Sequence, residues 1–141
     1  MSTLTPENAL CPCGSKTPFT QCCEPILDGV RKASSAEALM RSRYTAFAVG
    51  NVDYLIQTTA KEKRAKDDRK VLNQQVKQTV WLSLVIEATS AGSPLDNEGT
   101  VTFSATFQSG SEKGVLKECS RFRKDPEGWV YVEGDVQFMS V

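Results

Sequence analysis

The chain of 141 residues contains no histidine. This absence excludes Ser-His and Cys-His catalytic pairs, and it excludes histidine as a metal ligand. The chain also has no net charge, because 17 basic residues balance 17 acidic ones. Proteins that mainly bind nucleic acid backbones carry a strong positive charge, so we do not expect a nucleic acid partner.

Long apolar runs are missing as well. No stretch reaches the roughly 18 apolar residues of a membrane-spanning helix, so we expect no membrane partner. The N-terminal segment MSTLTPENAL lacks the basic and apolar regions of a secretory signal. We therefore expect a cytoplasmic protein, in which thiols stay reduced. A composition that is 40% hydrophobic and 24% charged is typical of a globular domain with its own core.

Four of the five cysteines lie in one short segment, CPCGSKTPFTQCC. Two close pairs, Cys11 with Cys13 and Cys22 with Cys23, stand on either side of a loop. Two such pairs can supply the four corners of a tetrahedral Zn²⁺ site. Four thiolates leave no open coordination position, so this zinc would be structural and would fold a segment too short for its own core.

Two other interpretations of the cluster stay open. A disulfide within either pair would close a strained ring, whereas a disulfide between the pairs is feasible in an oxidising compartment. A redox dithiol usually has C-x-x-C spacing beside a βαβ unit, and neither is present. We predict structural zinc. Lys16 is a candidate cation near the sulfurs, but we favour a solvated surface position for it over that role. Cys119 stands alone in a strand pattern and is predicted to pack rather than to bind metal.

The middle of the chain predicts helices. Ser34 or Ser35 is a candidate N-cap for SAEALMRSRYTAFAVG, in which apolar residues recur every three or four positions. Gly50 is expected to end this helix and Asn51 to begin a second one. The segment DDRKVLNQQVKQ is expected to form a third helix after a charged loop.

From Val80 onward the pattern has a period of two, which predicts strands. Four such segments, VWLSLVIEAT, TVTFSATFQ, VLKECSRFRK and WVYVEGDVQF, are separated by turn-forming sequences. They predict an antiparallel meander, and helices followed by a meander predict an α+β domain with helices on one face of the sheet. Strict alternation in the first segment puts one apolar set on one face: Val80, Leu82, Leu84 and Ile86.

Several of these segments together resemble the YchJ-like family. CPCGS followed by CC is similar to the SEC-C motif, a small zinc knuckle, while AEALMRSRYTAFAVGNVDYLIQTT, ECSRF and GWVYVEGD are similar to the rest of that family. The resemblance implies a zinc knuckle and connector over residues 1–30. Over residues 31–141 it implies a cone-shaped, nuclear-transport-factor-2-like (NTF2-like) domain, with helices packed on a curved, mainly antiparallel sheet. The family has no established activity.

The resemblance also implies a pocket inside the cone. On the third strand Glu118 and Ser120 share a face with two apolar residues, which indicates that this face points inward. Glu118 has two interpretations: an unpaired carboxylate that acts as a general base, or a hydrogen-bonded ion pair with Arg43. The candidate pocket residues are Arg43, Tyr44, Trp81, Glu118 and Ser120.

Two functions are consistent with these features. The first is a non-enzymatic binding or adaptor module, in which the knuckle docks onto a protein partner and the cone is a scaffold or holds a small molecule. The second is an isomerase or dehydratase, with Glu118 as general base and Tyr44 or Tyr54 as hydrogen-bond donor. The closed metal site and the missing histidine favour the first, so we favour the binding module over the enzyme. Surfaces of such cones often dimerise, so a homodimer is a further expectation.

Overall fold

The computed structural model describes residues 9–140, in which four helices precede four strands. Single 3-10 turns lie at Phe19–Gln21 and Lys61–Lys63. The helices are α1 (Cys23–Leu27), α2 (Ala36–Val49), α3 (Val52–Gln57) and α4 (Asp68–Gln78). The strands are β1 (Thr79–Ala91), β2 (Glu98–Ser109), β3 (Glu112–Asp125) and β4 (Gly128–Ser140). None of the helices in this part of the chain has the length and apolar character needed to cross a membrane.

The central helices begin and end at the capping residues that the sequence indicates. Ser35 accepts a hydrogen bond from the Ala38 N–H over 3.0 Å, so it is the N-cap of α2. Gly50 ends α2 with φ of 83°, a left-handed conformation that glycine adopts without strain. Asn51 accepts a hydrogen bond from the Tyr54 N–H and caps α3. The chain therefore reverses between α2 and α3, and the two helices pack together.

The four strands form one antiparallel sheet in the order β1-β2-β3-β4. Helix α2 packs against β1, β2 and β4, and α4 packs against β1. Val101, Phe103 and Ala105 of β2 are buried on the face that α2 covers. The predicted α+β fold, with helices against one face of a meander, is confirmed. We refer to α2 through β4 as the cone.

Two strands change face partway along, which strict alternation does not predict. In β1 a register shift between Trp81 and Ser83 leaves Leu82 as an extra residue. Such a bulge reverses the alternation beyond it, so Trp81 and Leu84 point to the same face. Val80 and Leu82 are 60% and 46% exposed, whereas Leu84 is 8% exposed. The expectation that Val80 and Leu82 share a face with Leu84 and Ile86 is therefore wrong.

The segment before α2 shares the core of the cone. We call residues 9–30 the knuckle, from the cysteine loop to the end of the connector. The side chains of Cys13 and Cys23 are 0% and 1% exposed, and they belong to the same apolar cluster as Leu39, Tyr44 and Leu55. Because a fully buried aliphatic side chain contributes about 1.5–3 kcal/mol, this shared cluster holds the knuckle firmly on α2.

Candidate functional site

The predicted metal ligands meet in one cluster. The sulfur atoms of Cys11, Cys13, Cys22 and Cys23 all lie within 4.8 Å of one another. Cys13 and Cys22 are 3.7 Å apart, and Cys22 and Cys23 are 4.0 Å apart. Tetrahedral zinc with Zn–S bonds of about 2.3 Å has sulfur–sulfur edges of about 3.8 Å, so these donors fit that ion. None of the described cysteines forms a disulfide. The cluster could therefore hold a metal ion, and the choice of zinc stays a prediction.

A tight loop brings the two cysteine pairs together. The Gly14 N–H donates to the Cys11 carbonyl over 3.2 Å. Gly14 has φ of 81°, and a Cβ at this position would lie 3.2 Å from the Leu84 carbonyl oxygen of β1. Conformation and space therefore both require glycine there. The Ser15 hydroxyl lies 3.1 Å from the Cys22 sulfur and links the two pairs.

Two residues of α2 support the cluster from the cone, and sequence analysis identified neither. The Thr45 hydroxyl donates to the Cys23 sulfur over 3.3 Å. Arg41 Nη1 donates to the Cys13 carbonyl over 2.6 Å and provides a cation beside the sulfurs. Lys16, the candidate for that role in the sequence, is exposed, which agrees with the surface position favoured for it. These contacts orient the cluster from outside, as hydrogen bonds around metal ligands generally do.

The thiols of the cluster hold their protons unequally. Hydrogen bonds from the thiols of Cys11 and Cys23 hold the pKa of Cys13 far below its usual range. Hydrogen bonds to Cys11 and Cys13, together with burial, raise the pKa of Cys23. The Cys13 thiol therefore gives up its proton more readily than the Cys23 thiol. A divalent cation would take the place of those protons, because metal-bound cysteines are thiolates.

A cavity of about 320 Å³ lies between α2, α4 and the sheet. Its walls are mainly aromatic, and the Trp81 ring centroid lies 6.0 Å from that of Tyr44 and 5.6 Å from that of Phe107. The side chain of Phe138, at the end of β4, is 68% exposed and stands at the rim. All five pocket residues predicted from the sequence line this cavity: Arg43, Tyr44, Trp81, Glu118 and Ser120.

Glu118 carries the cavity's carboxylate. The hydroxyls of Tyr131 and Ser120 each donate to its Oε2 over 2.8 Å. Its Oε1 accepts no hydrogen bond within the described part of the chain. Gly134 of β4 makes room for this carboxylate, since a Cβ on Gly134 would lie 2.8 Å from the Glu118 Cδ. Two hydroxyls therefore bind one oxygen of the carboxylate, and no described residue binds the other.

The predicted ion pair between Arg43 and Glu118 is absent. Arg43 Nη1 instead donates to the Leu55 carbonyl over 2.9 Å and to the Thr58 hydroxyl over 2.7 Å. Within residues 9–140, no carboxylate oxygen lies within the 4.0 Å of a salt bridge to Arg43. Tyr131 contacts both residues, with its ring centroid 4.8 Å from the Arg43 Cζ and its hydroxyl on Glu118. The two charges thus stand apart in the same cavity.

Tyr54, one predicted hydrogen-bond donor, lies outside this cavity. Its hydroxyl is 2.6 Å from the Ser42 hydroxyl, and burial raises its pKa. Tyr131 is the donor that reaches the carboxylate, and sequence analysis missed it. Strict alternation groups Tyr131 with the exposed Glu133 and Asp135, but β4 skips one residue in its pairing with β3 and so turns Tyr131 inward. The sequence carries no clear signal for this turn, because residues 129–132 are all apolar and do not alternate.

The fold and the site together define a class of protein in which a four-cysteine zinc-knuckle-like motif packs on an NTF2-like α+β domain. Two family models match these two parts of the chain. The family model for the middle NTF2-like domain of YchJ matches residues 35–134. The model for the SEC-C motif matches residues 8–25. The chain belongs to the YchJ-like family. The division of the chain at residue 30 stays a prediction.

Curated relatives and solved structures show the same likeness. The UPF0225 protein GSU1048 of Geobacter sulfurreducens is 39% identical over 125 residues, which cover 89% of this chain and 78% of the relative. The UPF0225 protein plu2503 of Photorhabdus laumondii is 41% identical over 127 residues, which cover 89% and 79%. The solution structure of RPA3114, a SEC-C motif containing protein from Rhodopseudomonas palustris, is 37% identical with a TM-score of 0.81 and covers 89% of this chain and 97% of that one.

Proposed function

We propose that this protein is a non-enzymatic, zinc-stabilised binding module. Zinc in the four-cysteine cluster fixes the knuckle on α2, and the cavity of the cone holds a small molecule. The observation that supports this proposal best is the contrast between a closed donor set and an open cavity of about 320 Å³. Small-molecule sites have this character: mainly apolar walls with a few placed polar groups.

The zinc in this proposal is structural. Four thiolates complete a tetrahedral shell, so no position remains for a reacting water or substrate. Three of the four cysteines are buried against the cone, with Cys22 half-buried at the outer side. A protein partner would therefore meet the outer surface of the knuckle, where Pro12 and Lys16 are exposed. Docking through that surface, in the cytoplasm, is part of the proposal.

The alternative function is an isomerase or dehydratase with Glu118 as general base. The observation that favours it is the Glu118 Oε1, which no described residue engages, together with Tyr44 in the same cavity. The arrangement of the other oxygen opposes it, because the hydroxyls of Tyr131 and Ser120 already donate to Oε2 and hold the carboxylate in place. We therefore place the binding function first.

The test has two readouts on protein purified under reducing conditions without added metal. Elemental analysis is expected to give one zinc per chain. Thiol titration is expected to find only Cys119 reactive in the native protein, and all five cysteines after denaturation with a chelator. Protein free of metal, or thiols missing after denaturation, would overturn the zinc assignment.

Ligand binding in the cavity is tested by a fragment screen on the same protein. The indole N–H resonance of Trp81 should shift in NMR spectra, because its ring lines the cavity. The indole of Trp129, which lies outside this cavity and is the second of the chain's two tryptophans, is the internal control. A screen in which no apolar fragment moves the Trp81 signal would remove the small-molecule part of the proposal.

A further inference from the structure

Arg43, which lines the cavity, forms no salt bridge with any residue in the described range 9–140. The Arg43 side chain is only 8% exposed. Its hydrogen bonds all come from Nη1 and end on neutral oxygens, namely the Leu55 carbonyl and the hydroxyls of Thr58 and Thr59 at 2.9, 2.7 and 3.4 Å. Its Nε and Nη2 make no hydrogen bond with any residue that the structure describes.

A buried guanidinium without a counter-charge is costly, because it has left water and gained no carboxylate in return. Burial lowers the pKa of Arg43 to about 10, against the opposing influence of Tyr131, Tyr54 and Glu118. The group is therefore still charged near neutral pH. A positive charge in an apolar enclosure attracts an anion more strongly than the same charge does on a solvated surface.

Arg43 lines the cavity together with Met40, Tyr44 and Phe47 of the same helix. The nearest acid in the cavity is Glu118, whose Oε2 is already bound by two hydroxyls. Tyr131 contacts both groups without joining them. The lining of the cavity thus combines one arginine, whose Nε and Nη2 no described residue engages, with several aromatic rings.

We propose that the cavity binds a small organic monocarboxylate with an apolar or aromatic body. Arg43 Nε and Nη2 form the planar fork that matches the two oxygens of a carboxylate. Trp81 and Phe107 provide the surface for the apolar body. A phosphate group fits less well, because it carries more charge than this single arginine offsets. This inference rests on the proposed small-molecule function and names its ligand class.

The test compares three compounds of one shape that differ in charge: 3-phenylpropanoate, 3-phenylpropanamide and protonated 3-phenylpropylamine. Binding is measured through the Trp81 resonance and by calorimetry on the full chain. We expect the carboxylate to bind more tightly than the amide by about tenfold or more. Hydrogen bonds between charged groups contribute more free energy than neutral ones, and the difference corresponds to an affinity change of about that size. The ammonium compound is expected to bind least.

Variants then assign the preference to its source. Arg43→Gln should abolish the advantage of the carboxylate over the amide, whereas Arg64→Gln, which removes a positive charge outside this cavity, should leave it intact. Glu118→Gln should tighten carboxylate binding, because it removes the competing negative charge. Since Arg43 also supports the backbone after α3, its loss could unfold the protein; the comparison of the three compounds on the unaltered chain does not depend on that variant.

The outcomes separate the two levels of the proposal. Equal affinity for the carboxylate and the amide would overturn the monocarboxylate inference and leave the small-molecule function standing. A carboxylate preference that survives Arg43→Gln in a folded protein would also overturn it. Absence of binding by all three compounds would overturn the monocarboxylate inference, whereas the fragment screen decides the small-molecule function separately.

Discussion

The Thr45 hydroxyl, in the middle of α2, donates a hydrogen bond to the Cys23 sulfur over 3.3 Å. The same oxygen lies 3.7 Å from the Cys11 sulfur, so one residue of the cone contacts two of the four thiols. Thr45 itself is fully buried. The cysteine cluster is therefore supported partly by the domain on which it rests.

Replacing Thr45 with valine should weaken metal binding while the cone stays folded. Valine keeps the shape of threonine but cannot donate to the sulfurs, and hydrogen bonds around metal ligands typically change metal affinity by about 10- to 100-fold. Competition with a chromophoric chelator measures the affinity. Thr102→Val, on β2 and away from the cluster, is the matched control. Equal zinc affinity in the two variants would show that the Thr45 contact does not support the site.

Removing the metal should destabilise the whole chain rather than the knuckle alone. The buried cysteines share one apolar cluster with Leu39 and Leu55, so loss of the metal disturbs the core beneath α2. We expect Cys22→Ser, or chelation, to lower the free energy of unfolding by about 3 kcal/mol or more. Denaturant unfolding followed by circular dichroism measures this change.

The matched control for this experiment is Cys119→Ser, since Cys119 lies on β3 outside the cluster and should keep both metal and stability. An unfolding curve for the cone that is unchanged after metal removal would show that the knuckle and the cone are energetically independent.

Much of the fold could be predicted from the sequence because local chemistry determines it. Ser35, Gly50 and Asn51 cap helices through contacts with residues at most four positions away. The four-strand meander follows from apolar alternation between turn sequences. The cysteine cluster could also be predicted, because its four candidate metal ligands lie close together in the chain.

Long-range pairing explains what could not be predicted. The bulge at Leu82 depends on how β1 fits against β2, and the skipped residue in β4 depends on its fit against β3. Each one reverses the alternation of side chains along its strand. The reversal in β4 is the reason why Tyr131 was not predicted as a cavity residue. The expected pair of Arg43 with Glu118 also failed for this reason, because the inward Tyr131 supplies the partner that the carboxylate needs.

Gly134→Ala should displace the Glu118 carboxylate. A methyl group there would lie 2.8 Å from the Glu118 Cδ, too close for an unstrained contact. Glu118 must then give up its bond with the Tyr131 hydroxyl or push β4 away from β3. We expect a loss of about 1–3 kcal/mol in the free energy of unfolding, as in other cases of overpacking.

A double-mutant cycle isolates this contact. In a Glu118→Ala background the carboxylate is gone. Gly134→Ala should then change the free energy of unfolding very little. If Gly134→Ala costs the same in both backgrounds, strand conformation rather than the carboxylate requires glycine at that position.

The chain's three tyrosines should all resist ionisation in the native protein. Burial raises the pKa of Tyr44 to about 12 and raises that of Tyr54, and burial together with the nearby Glu118 raises that of Tyr131. The unfolded chain ionises its tyrosines near the ordinary pKa of 10.0. Above that pH the folded state therefore binds more protons than the unfolded state, so stability is complete below pH 10.0 and falls as the pH rises further.

Tyrosinate absorbance during an alkaline titration measures this behaviour. Native protein should show little tyrosinate near pH 10.0, with ionisation appearing only at higher pH and together with unfolding, while urea-denatured protein should titrate near the ordinary value. Tyr131→Phe leaves two tyrosines, and its alkaline unfolding should shift to higher pH because one group that favours the unfolded state has been removed. A native tyrosine that ionises near pH 10.0 without unfolding would contradict the buried positions of Tyr44 and Tyr54 or the contact of Tyr131 with Glu118.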